Sequence, residues 1–379
     1  MHFDYVILVD SFKPKNNSAA VMIDELALHM SSVNKICVIT EDSNQKKPYT
    51  LEKLNKSYFV LKLKTFKRPR PNSLRGISEL INPYIMILIF IMYGLKNKIS
   101  SKKFIWYSPS IFYSPFIKFY KNKNNARTYL ILRDLFPLWM VDLGLLKKDS
   151  FVHKILNYFE KKQYSLADSI GVQIDSNIPI VKKIINHDCN VRVLNNWKSV
   201  NAVQRQREQS KRMRAVYAGN IGVAQGPKNF DTVIQLSLNN FEIKFFSEDT
   251  YYEGLKIRYK NQINIMFSET VANKDLEKEY LNYDFGLVLL DVNHKTNNVP
   301  GKFISYISNG LPVFCILNKG NPLIEIVNKN MLGVALASDD ILQIQNSLVN
   351  FTKLIQNYNL SETCLEYAHK HYGISSAAK

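Results

Sequence analysis

Short runs of β-branched and aromatic residues alternate with longer segments of helical period along the whole chain, the pattern of parallel strands joined by crossover helices. In the first half this pattern predicts strands at 5–9, 35–40, 58–62, 104–107, 128–132, 169–173 and 191–194. Helices fill the intervals. One is placed at 19–30, where Val21, Ile23, Leu26, Ala27 and Met30 form a single apolar stripe behind Ser18 as N-cap. The stretch NNWKSVNAVQRQREQSKRMR that follows the last of these strands is poor in apolar side chains and reads as a linker. Beyond it a second series begins, with strands predicted at 215–218, 242–246, 263–267, 285–290, 312–315 and 333–336. The fold class is therefore α/β, with two Rossmann-like domains. Ligands in such folds bind past the carboxyl ends of the strands, so the residues just after each strand are the ones to read for chemistry.

The longest uncharged apolar stretch is INPYIMILIFIMYGL at 81–95, whose 15 residues fall short of the roughly 20 that a spanning helix needs. Two readings remain open for it, a core helix or a helix lying on an anionic bilayer, because KLKTFKRPRPNSLR precedes it and KNKISSKK follows. Across all 379 residues, 46% are hydrophobic, which is enough for two cores and excludes disorder as the main state. The net charge of +18 is unevenly spread: residues 1–200 carry 31 basic against 15 acidic side chains, and the rest 19 against 17. Within 51–127 there are 16 basic residues and only Glu52 and Glu79 as acids. Compositional bias would spread the charge evenly, so the excess is read as a membrane-facing surface. No nucleic-acid motif or stacking platform accompanies it, and no nucleic-acid partner is expected. Cys37, Cys189, Cys315 and Cys364 lie far apart with no CxxC pair, which suits a reduced, cytoplasmic setting. The N-terminus MHFDYVILVD has Asp4 ahead of its apolar run and no small-residue cleavage site, so it reads as a buried strand and not a signal peptide.

Two post-strand loops in the second half carry candidate chemistry. In VYAGNIGVAQGPKNF, Gly219, Gly222 and Gly226 follow a strand and precede a helix; this is a phosphate cradle or an ordinary tight turn, and the spacing is not GxGxxG. In NHKTNNVPGKFISYISNGLPVF, Pro300 and Gly301 open a helix, Lys302 occupies its first turn and Asn309-Gly310 end it. A cation there opposes the helix dipole by about a few tenths of a kcal/mol, and a bound anion reverses the sign. In the first half, Arg133 and Asp134 follow the strand TYLIL and are either functional groups of a site or a structural ion pair. There is no Asp-x-Asp and no HExxH, and the seven histidines are scattered apart from His369 and His371, so neither metal nor cofactor is expected. Glycosidase chemistry needs two cleft carboxylates, and these loops offer mainly Asp134.

Taken together, DSFKPKNNSAAVMIDELA, LILRDLFPLWMVDLGLL, VRVLNNW, YAGNIGVAQG, YLNYDFGLVLL and NNVPGKFISYISNGLPV resemble glycosyltransferase family 4, the retaining GT-B sugar-nucleotide transferases. The likeness is greatest to the bacterial branch that adds N-acetylated amino sugars in O-antigen or capsule assembly. It implies parallel sheets facing a central cleft, an acceptor-binding, membrane-facing domain at 1–196, a linker at 197–212 and a donor domain at 213–360. Residues 361–379 would form a C-terminal crossover helix and tail returning to the first domain. The implied donor site holds Gly219, Asn220, Gly222, Gln225, Glu269, Thr270, Asn297, Asn298, Pro300, Gly301, Lys302, Ser305 and Tyr306. Arg133, Asp134 and Lys302 take catalytic places. Asn17 and Ser18 fall on an acceptor or phosphate loop, with Ser18 equally explained as an N-cap.

The chain departs from the family pattern where cations and carboxylates usually stand. The segment Gly-Arg-x-x-x-x-Lys-Gly has Asn220 and Gln225 in its charged positions, and the Glu-x7-Glu pair falls on Asn297 and Ser305. Either the donor is held through amides, Asn side chains and Lys302, or the protein is a non-catalytic partner or scaffold of the same pathway. The first reading implies metal-independent, retaining transfer of an N-acetylated (deoxy)amino sugar from a UDP-sugar substrate. The acceptor would be a lipid-linked saccharide on polyprenyl diphosphate, met at the inner face of the cell membrane through the basic residues of 51–127.

Overall fold

The computed structural model describes residues 1–14, 17–67, 73–108, 110–142, 144–200, 212–238, 240–293 and 299–378. The chain divides into two compact units, Met1–Asn195 with the last three residues, and Asn196–Ser376.

The first unit is built on an eight-stranded sheet of β1 (Tyr5–Val9), β2 (Ile36–Glu41), β3 (Tyr49–Lys53), β4 (Tyr58–Leu63), β5 (Lys103–Tyr107), β6 (Arg127–Leu132), β7 (Ser169–Val172) and β8 (Asn190–Val193). Their order is β3-β4-β2-β1-β5-β6-β7-β8. All neighbours pair in parallel except β3, which the sequence pattern missed and which runs antiparallel to β4 with Leu51 opposite Leu61. Its segment YTLEK is only partly buried, so it lacks the apolar run by which the interior strands are recognised.

Among the described residues seven helices accompany this sheet: α1 (Ser18–Met30), α2 (Ser73–Met92), α3 (Leu95–Lys98), α4 (Ser114–Asn124), α5 (Leu138–Asp142), α6 (Phe151–Tyr164) and α7 (Asn177–Ile184). From β4 onward each parallel step moves the same way across the sheet, so right-handed crossovers put α2, α4, α6 and α7 on one face. They share one core. Phe90 of α2 meets Phe116 of α4 edge-on at 5.1 Å, and Tyr164 of α6 and Val181 of α7 are buried in the same cluster. The cap of α1 is Asn17 and not Ser18 as expected: Asn17 Oδ1 accepts from the Ala20 N–H at 2.9 Å, and Ser18 is the first helical residue.

The second unit carries β9 (Met213–Ala218), β10 (Phe241–Phe246), β11 (Ile265–Ser268), β12 (Phe285–Leu289), β13 (Val313–Ile316) and β14 (Gly333–Leu336), all parallel in the order β11-β10-β9-β12-β13-β14. Its helices are α8 (Pro227–Ser237), α9 (Thr250–Tyr259), α10 (Asn273–Glu279), α11 (Gly301–Ile307), α12 (Pro322–Lys329), α13 (Ile341–Asn357), α14 (Leu360–Tyr372) and α15 (Ile374–Ala377). The long helix α14 lies in this unit, where Tyr372 packs edge-on against Phe303 of α11 at 5.9 Å. Most of the expected linker, 201–211, lies outside the described residues; Trp197 before it is buried, and the Lys198 N–H donates to the Tyr372 carbonyl at 2.8 Å.

In each sheet the winding reverses once, between β1 and β5 in the first unit and between β9 and β12 in the second. At such a reversal the loops leaving adjacent strands diverge and open a crevice, the usual ligand position in this architecture.

Candidate active site

At the second unit's reversal the chain leaves β9 through Gly219-Asn220-Ile221-Gly222, makes a 3-10 turn at Val223–Gln225 and enters α8 at Pro227. Gly219 has φ +122° and Gly226 φ +67°, a region that side chains with a Cβ rarely adopt. A Cβ on Gly226 would also lie 3.0 Å from Asp291 Cα, so glycine lets this loop lie against the end of β12. The loop is pinned along its length. Ala218 N–H donates to Tyr306 Oη at 2.9 Å, Ile221 N–H to Asp249 Oδ2 at 2.6 Å, and Gly222 N–H to Gln225 Oε1 at 2.9 Å. Asn229 Nδ2 ties the start of α8 to the Leu290 carbonyl at 2.8 Å.

Lys302 reaches this loop from the first turn of α11. Its Nζ donates to Tyr217 Oη at 2.5 Å, and stands 4.1 Å from the centroid of the same ring. Tyr217 Oη in turn donates to the Asn220 carbonyl at 2.5 Å. The lysine stem passes Gly219 closely enough that a Cβ there would lie 3.6 Å from Lys302 Cε. Burial pushes the Lys302 ammonium down to about 7, with the Asp249 carboxylate opposing that shift. Tyr217 is pushed above its ordinary range, again by burial first.

The loops after β9, β10 and β12 thus bring Gly219, Asn220, Gly222, Gln225, Lys302 and Tyr306 together, but with different duties. Gln225 holds the loop through Gly222, and Tyr306 is a buried strut whose ring lies flat on Gly286, where a Cβ would approach Tyr306 Cδ2 to 2.3 Å. Ser305 Oγ accepts from Lys198 Nζ at 3.0 Å, and Lys198 also pairs with Glu277 at 3.0 Å, so Ser305 belongs to a clasp behind α11. Pro300 is the N-cap residue of α11, and no atom lies within 4 Å of a Cβ built on Gly301, which leaves open space beside it. Glu269 and Thr270 sit exposed past the edge strand β11, where Thr270 Oγ1 donates to Glu248 Oε2 at 2.8 Å. Asn297 and Asn298 lie outside the described residues.

Two residues of this cluster were not anticipated. Asp249 caps α9 through the Tyr252 N–H at 2.9 Å while its other oxygen holds Ile221, and its signal was an Asp just after a strand and ahead of a helical segment. Tyr217 was legible only as a large aromatic in the otherwise small strand end RAVYAG.

In the first unit, Arg133 follows β6 as expected but is buried, with Nη1 donating to the Leu194 carbonyl at 2.5 Å. It joins the ends of β6 and β8. Burial lowers its guanidinium to about 10 against the opposing influence of Tyr107, Tyr129 and Asp134. Asp134 is exposed at the surface, yet desolvation by the protein packed around its carboxyl raises it, and Arg133 opposes that shift. Asn17 is committed to capping α1 and to Ser11, donating to its Oγ at 2.8 Å, and the Ser18 hydroxyl is directed at Met22 Sδ. Among the described residues no group of three or more His, Cys, Asp or Glu side chains is placed to hold a metal ion.

No protein-family profile matches the chain. A Pseudomonas aeruginosa protein described as "Probable glycosyltransferase WbjE" is 25% identical over 266 residues, 62% of this chain and 64% of that protein, so the match spans less than two thirds of either. Sucrose-phosphate synthase from Thermosynechococcus elongatus superposes with a TM-score of 0.73 at 11% identity, covering 99% of this chain and 96% of that one. The fold is GT-B. A second GT-B structure, HepE of Anabaena in complex with UDP-glucose, superposes with a TM-score of 0.63 at 8% identity over 99% of this chain and 97% of its own. The two structural likenesses extend through both α/β units of the chain.

Proposed function

We propose that this protein is a glycosyltransferase that holds a UDP-sugar at the β9–β12 reversal of its second unit and transfers the sugar to a lipid-linked saccharide. The observation that carries this reading is Lys302. Its ammonium lies against the face of a tyrosine, beside a glycine loop, with its proton affinity depressed by burial. A diphosphate placed there would restore the charge and be held by it. The fold likeness to HepE, seen with UDP-glucose, and the sequence likeness to WbjE support the same reading.

In the proposed step the bond between the anomeric carbon and the diphosphate oxygen breaks, and its electron pair leaves on the phosphate. An acceptor hydroxyl adds from the same face, and its proton passes to the departing phosphate, so configuration is retained without a carboxylate pair. Lys302 stabilises the charge that develops on the leaving group, taking the part a metal ion plays elsewhere. The choice of an N-acetylated (deoxy)amino sugar, of polyprenyl diphosphate as the acceptor's lipid, and of the inner membrane face as the location rests on the sequence resemblance. Replacing Lys302 by Ala is expected to lower transfer by about 10²–10³-fold while the circular dichroism spectrum is kept. Unchanged turnover would remove Lys302 from the reaction. Thermal stabilisation by a UDP-sugar with no product in the presence of lipid-linked acceptor would favour the scaffold reading.

A further inference from the structure

α2 buries Asn82, Pro83, Met86, Ile89 and Phe90, yet its opposite side is also apolar: Ile77, Ile81, Tyr84, Leu88, Ile91 and Met92 recur at helical spacing and are all exposed. Tyr84 is 61% and Met92 66% exposed. The same reversal occurs on α6, where Phe151, Val152, Ile155 and Tyr158 share one exposed side, Phe151 at 78%. The two helices lie on the same face of the first sheet with α4 between them: Phe119 of α4 meets Phe90 of α2, and Phe112, in the loop just ahead of α4, meets Phe159 of α6. Lys162 of α6 donates to Tyr158 Oη at 3.0 Å and also feels the Tyr84 phenol of α2.

The charges around these two ridges are mostly positive. Lys147, Lys148, Lys154, Lys161 and Lys162 are exposed along and beside α6, and Lys118 is exposed on α4. Asp149, exposed ahead of α6, and Glu79, half-buried on α2, are carboxylates among them, while Glu160 of α6 is buried and accepts from Tyr164 Oη at 3.0 Å. Several lysines of 51–127 are by contrast engaged elsewhere: Lys62 pairs with Glu52, Lys121 with Asp168, and Lys103 stacks on Tyr5 at the amino-terminal end of its strand.

We propose that α2 and α6 together form the face by which the first unit docks in the plane of an anionic bilayer, with the α6 lysines at the headgroups and both apolar ridges in the acyl boundary. Its place in the reaction rests on the lipid-linked acceptor proposed above; the docking itself does not. A bilayer fits better than a second copy of the chain, because a symmetric contact would bring the lysine-rich ridges of two copies against each other. No helix among the described residues is long and apolar enough to cross a membrane, and apolar residues with flanking lysines and tyrosines are the composition of an in-plane helix.

The test is flotation with vesicles of phosphatidylcholine, with and without phosphatidylglycerol, for the full chain and two surface variants, Leu88→Gln with Met92→Gln and Phe151→Gln with Val152→Gln. The full chain is expected to float with the anionic vesicles, less so at high salt, and each variant to bind roughly tenfold more weakly or worse. An unaffected Phe151/Val152 variant would overturn the two-helix face. Failure of the full chain to float, or a concentration-dependent dimer that either variant dissolves, would overturn the bilayer as occupant. UDP-induced thermal shift is measured on the same samples: its loss with flotation intact would count against the transferase reading alone.

Discussion

Lys302 gives the donor site a definite response to pH. With its free ammonium lowered to about 7, the group is largely neutral at about pH 8, and a diphosphate beside it raises its affinity for a proton again. UDP binding at that pH is therefore expected to take up a proton, visible as a calorimetric heat that changes with the ionisation enthalpy of the buffer. Lys302→Met should abolish the uptake. The sign for stability runs with it: below about 7 the fold carries a buried cation, and that cost is relieved as pH rises from there toward the ordinary ammonium range. Asp249 acts one step back by fixing the Ile221 N–H, which an Asn amide nitrogen cannot do. Asp249→Asn is expected to weaken UDP binding by about tenfold in calorimetry with a smaller change in unfolding midpoint. Lys302 was legible because a cation in a helix's first turn is locally unfavourable and asks for a reason. Arg133 was legible only as a charge after a strand; its carbonyl partners at Leu194 and Asn195 lie about sixty residues on and no local pattern foretells them.

Whole elements were easier to read than the duties of their side chains. All six strands of the second unit fall within a few residues of their predicted positions, because apolar runs in buried parallel strands are continuous and bounded by polar segments. α11 shows why the rest was harder. One short helix presents Lys302 to the glycine loop, Ser305 to Lys198 and Tyr306 to Ala218, and only packing sorts these three residues into one site group and two supports. Gly286 on β12 makes that arrangement possible. Gly286→Ala would drive a methyl into the Tyr306 ring, and a stability loss of about 1–3 kcal/mol is expected from chemical denaturation. Because Tyr306 also holds Ala218, UDP affinity should fall with it, whereas a pure packing defect would leave affinity unchanged.

For the whole molecule the division of labour can be tested directly. Hydrogen exchange with UDP present is expected to slow most in peptides covering 217–230 and 299–308, and slowing centred on the first unit would contradict the donor assignment. The overall charge was legible as lopsided, but sequence position alone could not tell lysines engaged in pairs and ring contacts from the exposed ones on α4 and α6. The antiparallel strand β3 has a bearing on how the protein behaves at high concentration. A parallel sheet ending at β4 would offer a long apolar strand, YFVLKL, as a template for another chain. β3 covers that strand and turns outward a short, partly charged segment with exposed Glu52 and Lys53, while β8 at the far side exposes Asn190 and Arg192. Both borders of the sheet are thereby blunted against edge-to-edge aggregation, which keeps a chain bearing two exposed apolar helix faces from polymerising through its strands.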